Sequence, residues 1–173
     1  MSELCASSSA LISHSYFDGI SLPFLEEVAE FMYITTDRYD ALGEPVVGGS
    51  QAPVDIFLPT LREVEELNID APIKSFMMPT LEKIGSGGMT IHAHAADLPA
   101  VDIELPLLSS LRGDIDLQGR LGRIDLGKVK ETDYKITIEA DTPAEINSAL
   151  YKVRDMSITG AIKALNFDSI AFA

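Results

Sequence analysis

The chain has 173 residues, of which 46% are hydrophobic and 23% charged, and its formal net charge is −14. This hydrophobic share is sufficient for a continuous core and excludes wholesale disorder. Only 13 Lys and Arg residues oppose 27 Asp and Glu residues, without a basic run, so we predict no binding of nucleic acid or of an anionic membrane. The single cysteine, Cys5, excludes an internal disulfide and a cysteine-based zinc site.

The two ends of the chain carry no targeting signal that we recognise. Residues 1–20 are rich in serine and lack the basic start and apolar stretch of a secretory signal, so we predict a flexible lead or a degraded N-terminal cap there. Residues 21–173 are predicted to form a single repeat domain. The last residues are too few and too polar for an anchor tail or a membrane span, so we predict no direct membrane insertion.

A recurring pattern defines the repeat domain from Leu22 onwards. Each full copy has a lead close to the form Leu-Pro-x-Leu-x-x-Val, with Met78, Ile84 and Leu111 as apolar replacements, and then a triplet in which two apolar residues flank a polar one. The triplets recur at steps of 35, 22, 26, 21 and 20 residues, and the long first step contains a predicted inserted loop at residues 37–53. The triplets are Met32-Tyr33-Ile34, Leu67-Asn68-Ile69, Met89-Thr90-Ile91, Ile115-Asp116-Leu117, Ile136-Thr137-Ile138 and Met156-Ser157-Ile158.

Each repeat is predicted to contain two short strands. The alternation of the triplet predicts a strand with one face in the core, and a second alternating strand is predicted at residues 54–56, 101–103 and 123–126. Leu61 and Val64 lie three residues apart, which predicts a short helical or 3₁₀ turn. We therefore predict a mainly β protein, a parallel β-solenoid of about six coils with short helical or 3₁₀ turns.

The lead and triplet of residues 58–69, 78–91 and 105–117 resemble the receptor L-domain repeat, a leucine-rich-repeat-like unit, in the form found in fungal GPI-anchored cell-wall-organisation proteins. The resemblance extends over about residues 21–172. It implies a right-handed solenoid, no enzymatic activity and a structural or recognition role at the cell surface or cell wall, with a protein or a cell-wall glycan as partner. A cytoplasmic protein-interaction scaffold is the alternative, because no leader or anchor is visible.

The outward positions of the triplet strands form a candidate binding face. They make a polar, partly acidic strip, which suits a cationic or hydroxyl-rich partner, although a hydrated sheet face without a ligand is the alternative. The first column contains Tyr33, Asn68, Thr90, Asp116, Thr137 and Ser157, and the second contains Thr35, Asp70, His92, Gln118, Glu139 and Thr159.

Three further features bear on function. His92 and His94 lie on one side of a predicted strand, but the sequence specifies no third ligand, so we interpret them as surface histidines and predict no metal and no cofactor. Asp116 and Glu139 are the carboxylates that a carbohydrate-active enzyme would use, but without Trp we favour a protein that has no catalytic residue. The apolar residues near the C-terminus predict an open sheet end, with end-to-end self-association or a missing continuation of the chain as the two alternatives.

Overall fold

A computed structural model describes residues 6–7, 10–13, 19–35, 53–94, 97–167 and 171–172, with side chains from residue 19 to residue 167. This part of the chain is mainly β, and it contains no helix. All strand pairs within it are parallel. The prediction of a mainly β protein with parallel sheets is confirmed. Nothing in the described ranges is a helix long and apolar enough to cross a membrane.

Fifteen strands occur among the described residues. They are β1 (Ala6–Ser7), β2 (Ala10–Ser13), β3 (Gly19–Ser21), β4 (Glu27–Thr35), β5 (Val54–Phe57), β6 (Glu63–Ala71), β7 (Ile73–Met77), β8 (Lys83–Ala93), β9 (Val101–Glu104), β10 (Ser110–Leu111), β11 (Ile115–Gly119), β12 (Leu121–Asp125), β13 (Glu131–Ser148), β14 (Lys152–Phe167) and β15 (Ala171–Phe172).

The triplets lie side by side in a sheet of twelve strands. β4, β6, β8, β11, β13 and β14 are successive neighbours in this sheet. Their registers align the first apolar residues of the triplets in one column and the last ones in another, and most of these side chains are fully buried. The inward columns are Met32, Leu67, Met89, Ile115, Ile136 and Met156, and Ile34, Ile69, Ile91, Leu117, Ile138 and Ile158.

The large sheet curls because its long strands continue around a corner. The first half of β13 pairs with β11 through Ile136–Ala140, and its second half pairs with β12 through Glu145–Asn147. A smaller sheet of β3, β5 and β7 holds Ile56 and Phe76 in the same apolar core. The second strands predicted at 54–56, 101–103 and 123–126 correspond to β5, β9 and β12, whereas β7 and the second halves of β13 and β14 were not predicted.

Small residues form a column at the corner where the triplet strands end. Ala71, Ala93, Gly119, Ala140 and Gly160 are neighbours in register across five strands. Gly119 has φ +106°, and a Cβ atom there would lie 2.3 Å from the carbonyl oxygen of Ala93. The close approach of adjacent backbones therefore leaves no space for a larger side chain at this corner.

The Leu-Pro-x-Leu lead forms a β-turn. The N–H of Leu81 donates to the carbonyl of Met78 at 3.3 Å, and the N–H of Leu108 donates to that of Leu105 at 3.0 Å. Proline suits the second position of such a turn because its φ is already correct. The predicted helical or 3₁₀ turn is wrong, because the N–H groups that follow donate to the preceding repeat, as Glu82 does to the carbonyl of Arg62, the residue before β6, at 2.8 Å.

Threonine hydroxyls connect successive turns. The Thr60 hydroxyl lies 3.0 Å from the carbonyl oxygens of both Pro23 and Leu25. The Thr80 hydroxyl has the same relation to the next turn, at 2.8 Å from the carbonyl oxygen of Pro59 and 3.0 Å from that of Leu61. Each of these two Pro-Thr-Leu turns is thus hydrogen-bonded to the turn of the preceding repeat.

One turn persists where the sequence pattern had decayed. Gly127 and Lys128 form a turn at the position that the lead occupies in earlier repeats. Gly127 replaces the proline and has φ +63°, a conformation that proline cannot adopt. The repeat thus keeps its turn with a different residue type.

The first twenty residues contain strands. β1 and β2 pair with β4, and β3 pairs with β5, so these segments continue both sheets. The predicted inserted loop, residues 37–53, lies outside the described residues except for Pro53. At the other end, β15 pairs with β14 at Lys152 and Val153.

Candidate binding face and histidine cluster

The twelve residues predicted for the binding face lie in two adjacent columns of the large sheet. Their registers run without interruption from β4 to β14, one residue per strand in each column. Neighbouring parallel strands are about 4.8 Å apart, so each side chain can contact those above and below it. In strand order, the first column is Tyr33, Asn68, Thr90, Asp116, Thr137 and Ser157, and the second is Thr35, Asp70, His92, Gln118, Glu139 and Thr159.

Eleven of these twelve side chains reach the surface. Glu139 and Thr159 are exposed, whereas Thr35 is 3% exposed and offers no surface to a partner. The remaining nine are half-buried, as is normal for a sheet face crowded by neighbouring strands. We use the name binding face for the eleven residues that remain when Thr35 is left out.

Three acidic residues outside the two predicted columns extend this face. Glu66 precedes its triplet by one residue, and its carboxylate accepts a 2.6 Å hydrogen bond from the amide of Asn68. Asp114 and Asp155 precede their triplets in the same way, and both are exposed. The two-residue alternation of the strand, continued one step towards the N-terminus, places all three on the same side as the first column.

Ion pairs occur mainly away from the binding face. Lys74 lies 3.0 Å from Asp55, and Arg123 lies 3.2 Å from Glu104, in each case joining neighbouring strands. Further pairs of this kind are Lys83 with Glu63, Lys152 with Glu131 and Lys163 with Glu145. On the binding face, by contrast, neither Asp116 nor Glu139 has a Lys or Arg partner among the described residues.

Contacts outside the binding face also lower the pKa of two carboxyl groups. The hydroxyl of Ser75 and the ammonium group of Lys74 hold the pKa of Asp55 below its usual value. Lys163 lowers the pKa of Glu145 in the same way. These carboxylates are stabilised as anions by groups of the chain itself.

A bulge near the Gly-rich segment of β8 positions another carboxylate. The Glu65 carboxylate accepts hydrogen bonds from the Ser86 hydroxyl at 2.6 Å and from the Ser86 N–H at 2.8 Å, and these contacts lower its pKa. A surface groove of about 280 Å³ begins here, with Glu63, Lys83 and Arg112 among its lining residues. Its charged groups include both signs, which distinguishes it from the binding face.

Asp70, His92 and His94 form a compact group, which we call the histidine cluster. His94 Nε2 lies 2.9 Å from Asp70 Oδ1, and the two imidazole centroids are 5.7 Å apart with an angle of 59° between the rings. Ligand atoms from all three residues lie within 4.8 Å of one another. The sequence did not identify Asp70 as the third ligand beside the two histidines, although Asp70 and His92 belong to the same predicted column and are register partners.

One nitrogen of the cluster has no hydrogen bond. Nε2 of His92 is buried and has no partner among the described residues. A buried polar atom without a partner costs about 1–3 kcal/mol. Nε of Arg120 is in the same condition, and the N–H of Arg120 donates to the carbonyl of Ala93, between the two histidines, at 3.1 Å. These two nitrogens are the buried side-chain atoms without a hydrogen-bond partner among the described residues.

The carboxylates considered for an enzyme lie on a diagonal of the face. Asp116 is the register partner of Thr137, and Glu139 is the register partner of Gln118. The Gln118 amide donates to both oxygens of Asp116, at 3.0 and 3.2 Å. Asp116 is thus engaged by a neutral side chain of its own strand.

Comparison with known proteins identified no relative of this chain. No protein-family model, no curated protein and no solved structure matches the chain. Function must therefore be inferred from the fold and from the surface that it presents.

Proposed function

We propose that this chain is a β-solenoid of receptor L-domain type, with about six coils, that acts without catalysis as a recognition module. The aligned triplets, the repeat step near twenty residues and the turns at the Leu-Pro leads support the solenoid. The cell surface or cell wall is the setting that the resemblance implies. A regular solenoid face supplies many equivalent side chains for one extended partner.

The observation that carries the proposal is the uncompensated acidity of the binding face. Asp116 and Glu139 lie on it without a Lys or Arg partner, while the ion pairs Lys74–Asp55, Arg123–Glu104 and Lys163–Glu145 neutralise charge elsewhere among the described residues. Carboxylates on adjacent strands repel one another, and a cationic partner would remove that repulsion. We therefore propose a protein partner with a basic segment, in preference to a neutral wall glycan.

Peptide binding tests the proposal. The double variant Asp116→Asn with Glu139→Gln removes two charges from the face, and Glu26→Gln with Glu30→Gln removes two exposed charges that lie outside it. A fluorescent ten-lysine peptide is titrated against each protein by anisotropy, at low and at moderate salt. We expect the face variant to bind at least tenfold more weakly and the control within threefold of the wild type.

The salt dependence and a glycan probe complete the design. Attraction between surface charges is screened beyond about 10 Å at 0.1 M salt, so the difference between the two variants should shrink as salt rises. Equal affinities of the two variants for the peptide would overturn the proposed face. Binding of a neutral β-glucan oligomer that is unaffected by salt would identify the wall glycan as the partner instead.

Cell fractionation tests the setting. Recovery of the native protein from the wall fraction would support the surface role. Recovery from the cytosol with Met1 intact would favour the intracellular protein-interaction scaffold.

A further inference from the structure

We propose that Asp70, His92 and His94 bind one divalent transition-metal ion, with Zn²⁺ as the ion that fits the ligand set best. Two imidazoles and one carboxylate are a common three-ligand set for zinc, and they leave a fourth position open for water or for a group of a partner. Asp70 and His92 lie on the binding face, but zinc binding here requires neither Asp116 nor Glu139, the two residues on which the proposed recognition of a basic segment depends.

The distances of the cluster are close to those around a zinc ion. Zinc lies about 2.0–2.2 Å from its nitrogen and oxygen ligands, so the ligands of a tetrahedral site are about 3.3 Å from one another. Asp70 Oδ1 and His94 Nε2 are 2.9 Å apart, and the atoms of all three residues lie within 4.8 Å. Small side-chain rotations are therefore sufficient to place one ion between them.

The backbone holds the ligands in place. Asp70 and His92 are register partners on β6 and β8, and His94 directly follows β8 on the same side. The chain neighbours of the ligands point inward. Ile69, Ile91 and Ala93 are at most 2% exposed. Ligands on two adjacent strands with buried neighbours lose little freedom when an ion binds.

A metal ion would satisfy the cluster where hydrogen bonds do not. The cluster includes a buried histidine nitrogen, Nε2 of His92, without a partner among the described residues, and a metal bond supplies an imidazole nitrogen with one. Asp70 and His94 contact each other directly, and the ion would replace this contact by bridging them. We expect micromolar affinity for zinc.

Zinc titration of the full chain tests the proposal. Isothermal calorimetry with Zn²⁺ is expected to give one ion per chain. The variants Asp70→Asn, His92→Gln and His94→Gln are each expected to bind zinc at least tenfold more weakly. The control Asp141→Asn removes the same charge from an exposed residue of β13 that belongs to neither the cluster nor the binding face, and its affinity should remain within threefold of the wild type.

Circular dichroism would show whether each variant folds. A spectroscopic measurement on the wild type tests the site without relying on any variant. At substoichiometric Co²⁺, the ring resonances of His92 and His94 should broaden together in the NMR spectrum. Failure of the wild type to bind zinc at 1 mM would overturn the proposal, as would zinc affinity that survives loss of both histidines or resonances that do not broaden.

Discussion

Replacing Gly119 with alanine is expected to be among the most damaging single-methyl additions on the large sheet. At φ +106° an alanine is strained by about 1–3 kcal/mol. Its Cβ would lie 2.3 Å from the carbonyl oxygen of Ala93 and 2.9 Å from its carbonyl carbon, both backbone atoms that cannot rotate away. Forcing β8 and β11 apart costs about another 1–3 kcal/mol, by analogy with an overpacked core. We expect a total near 4 kcal/mol, which lowers the Tm of a chain of this size by about 8–16 °C.

Gly122→Ala is the matched control, three residues further along the chain. There the new Cβ would lie 2.3 Å from Oδ1 of Asp102, the end of a side chain that can rotate. The rotation breaks the 2.7 Å hydrogen bond from the N–H of Arg123 to that oxygen, at a cost of about 1 kcal/mol. Thermal unfolding followed by circular dichroism compares the two variants, and equal falls in Tm would refute the corner argument.

Two further predictions concern the core and the acid response. Ile91 is fully buried between Ile69 and Leu117, so Ile91→Ala should lower the free energy of unfolding by about 2–5 kcal/mol, whereas Thr90→Ala on the outward side should change it by about 0.5 kcal/mol or less in urea titration. Similar losses in both variants would contradict the inward and outward assignment. Because the folded state lowers the pKa of Glu65 from its ordinary 4.5, the stability that this carboxylate contributes is present above pH 4.5 and is lost as the pH falls through its folded pKa. Glu65→Gln should therefore lower the Tm slightly at pH 7 and leave it unchanged near pH 2, and an equal deficit at both pH values would argue against this contact.

The columns of the sheet were predictable from the sequence because two independent periods agree there. Alternation within Met89-Thr90-Ile91 separates core from surface, and the repeat step places Ile115 beside Met89. A shift of one residue in the pairing of two neighbouring strands would put polar side chains inside the core, so the register is strongly determined. The turn was mispredicted because a spacing of three, as between Leu61 and Val64, also arises when a β-turn leads directly into a strand.

The candidate sites were less predictable because they depend on contacts between repeats. The sequence identified the side of the strand on which His92 and His94 lie, but it did not show that Asp70 would meet His94 as well as His92. The charge compensation of Asp55 by Lys74 requires the register between β5 and β7, which was not predicted since β7 shows no clear alternation. The recognition function, its partner and its cellular setting remain predictions.

The column registers of the binding face give it the geometry of a lattice. Outward residues repeat about every 4.8 Å across the strands and about every 6.6 Å along them, two residues at a time. An extended peptide also presents every second side chain about 6.6 Å apart, so its successive side chains can match outward positions two residues apart on one strand. Each additional contact then forms at high effective concentration, and a ligand with repeating groups gains avidity from bonds that are individually weak.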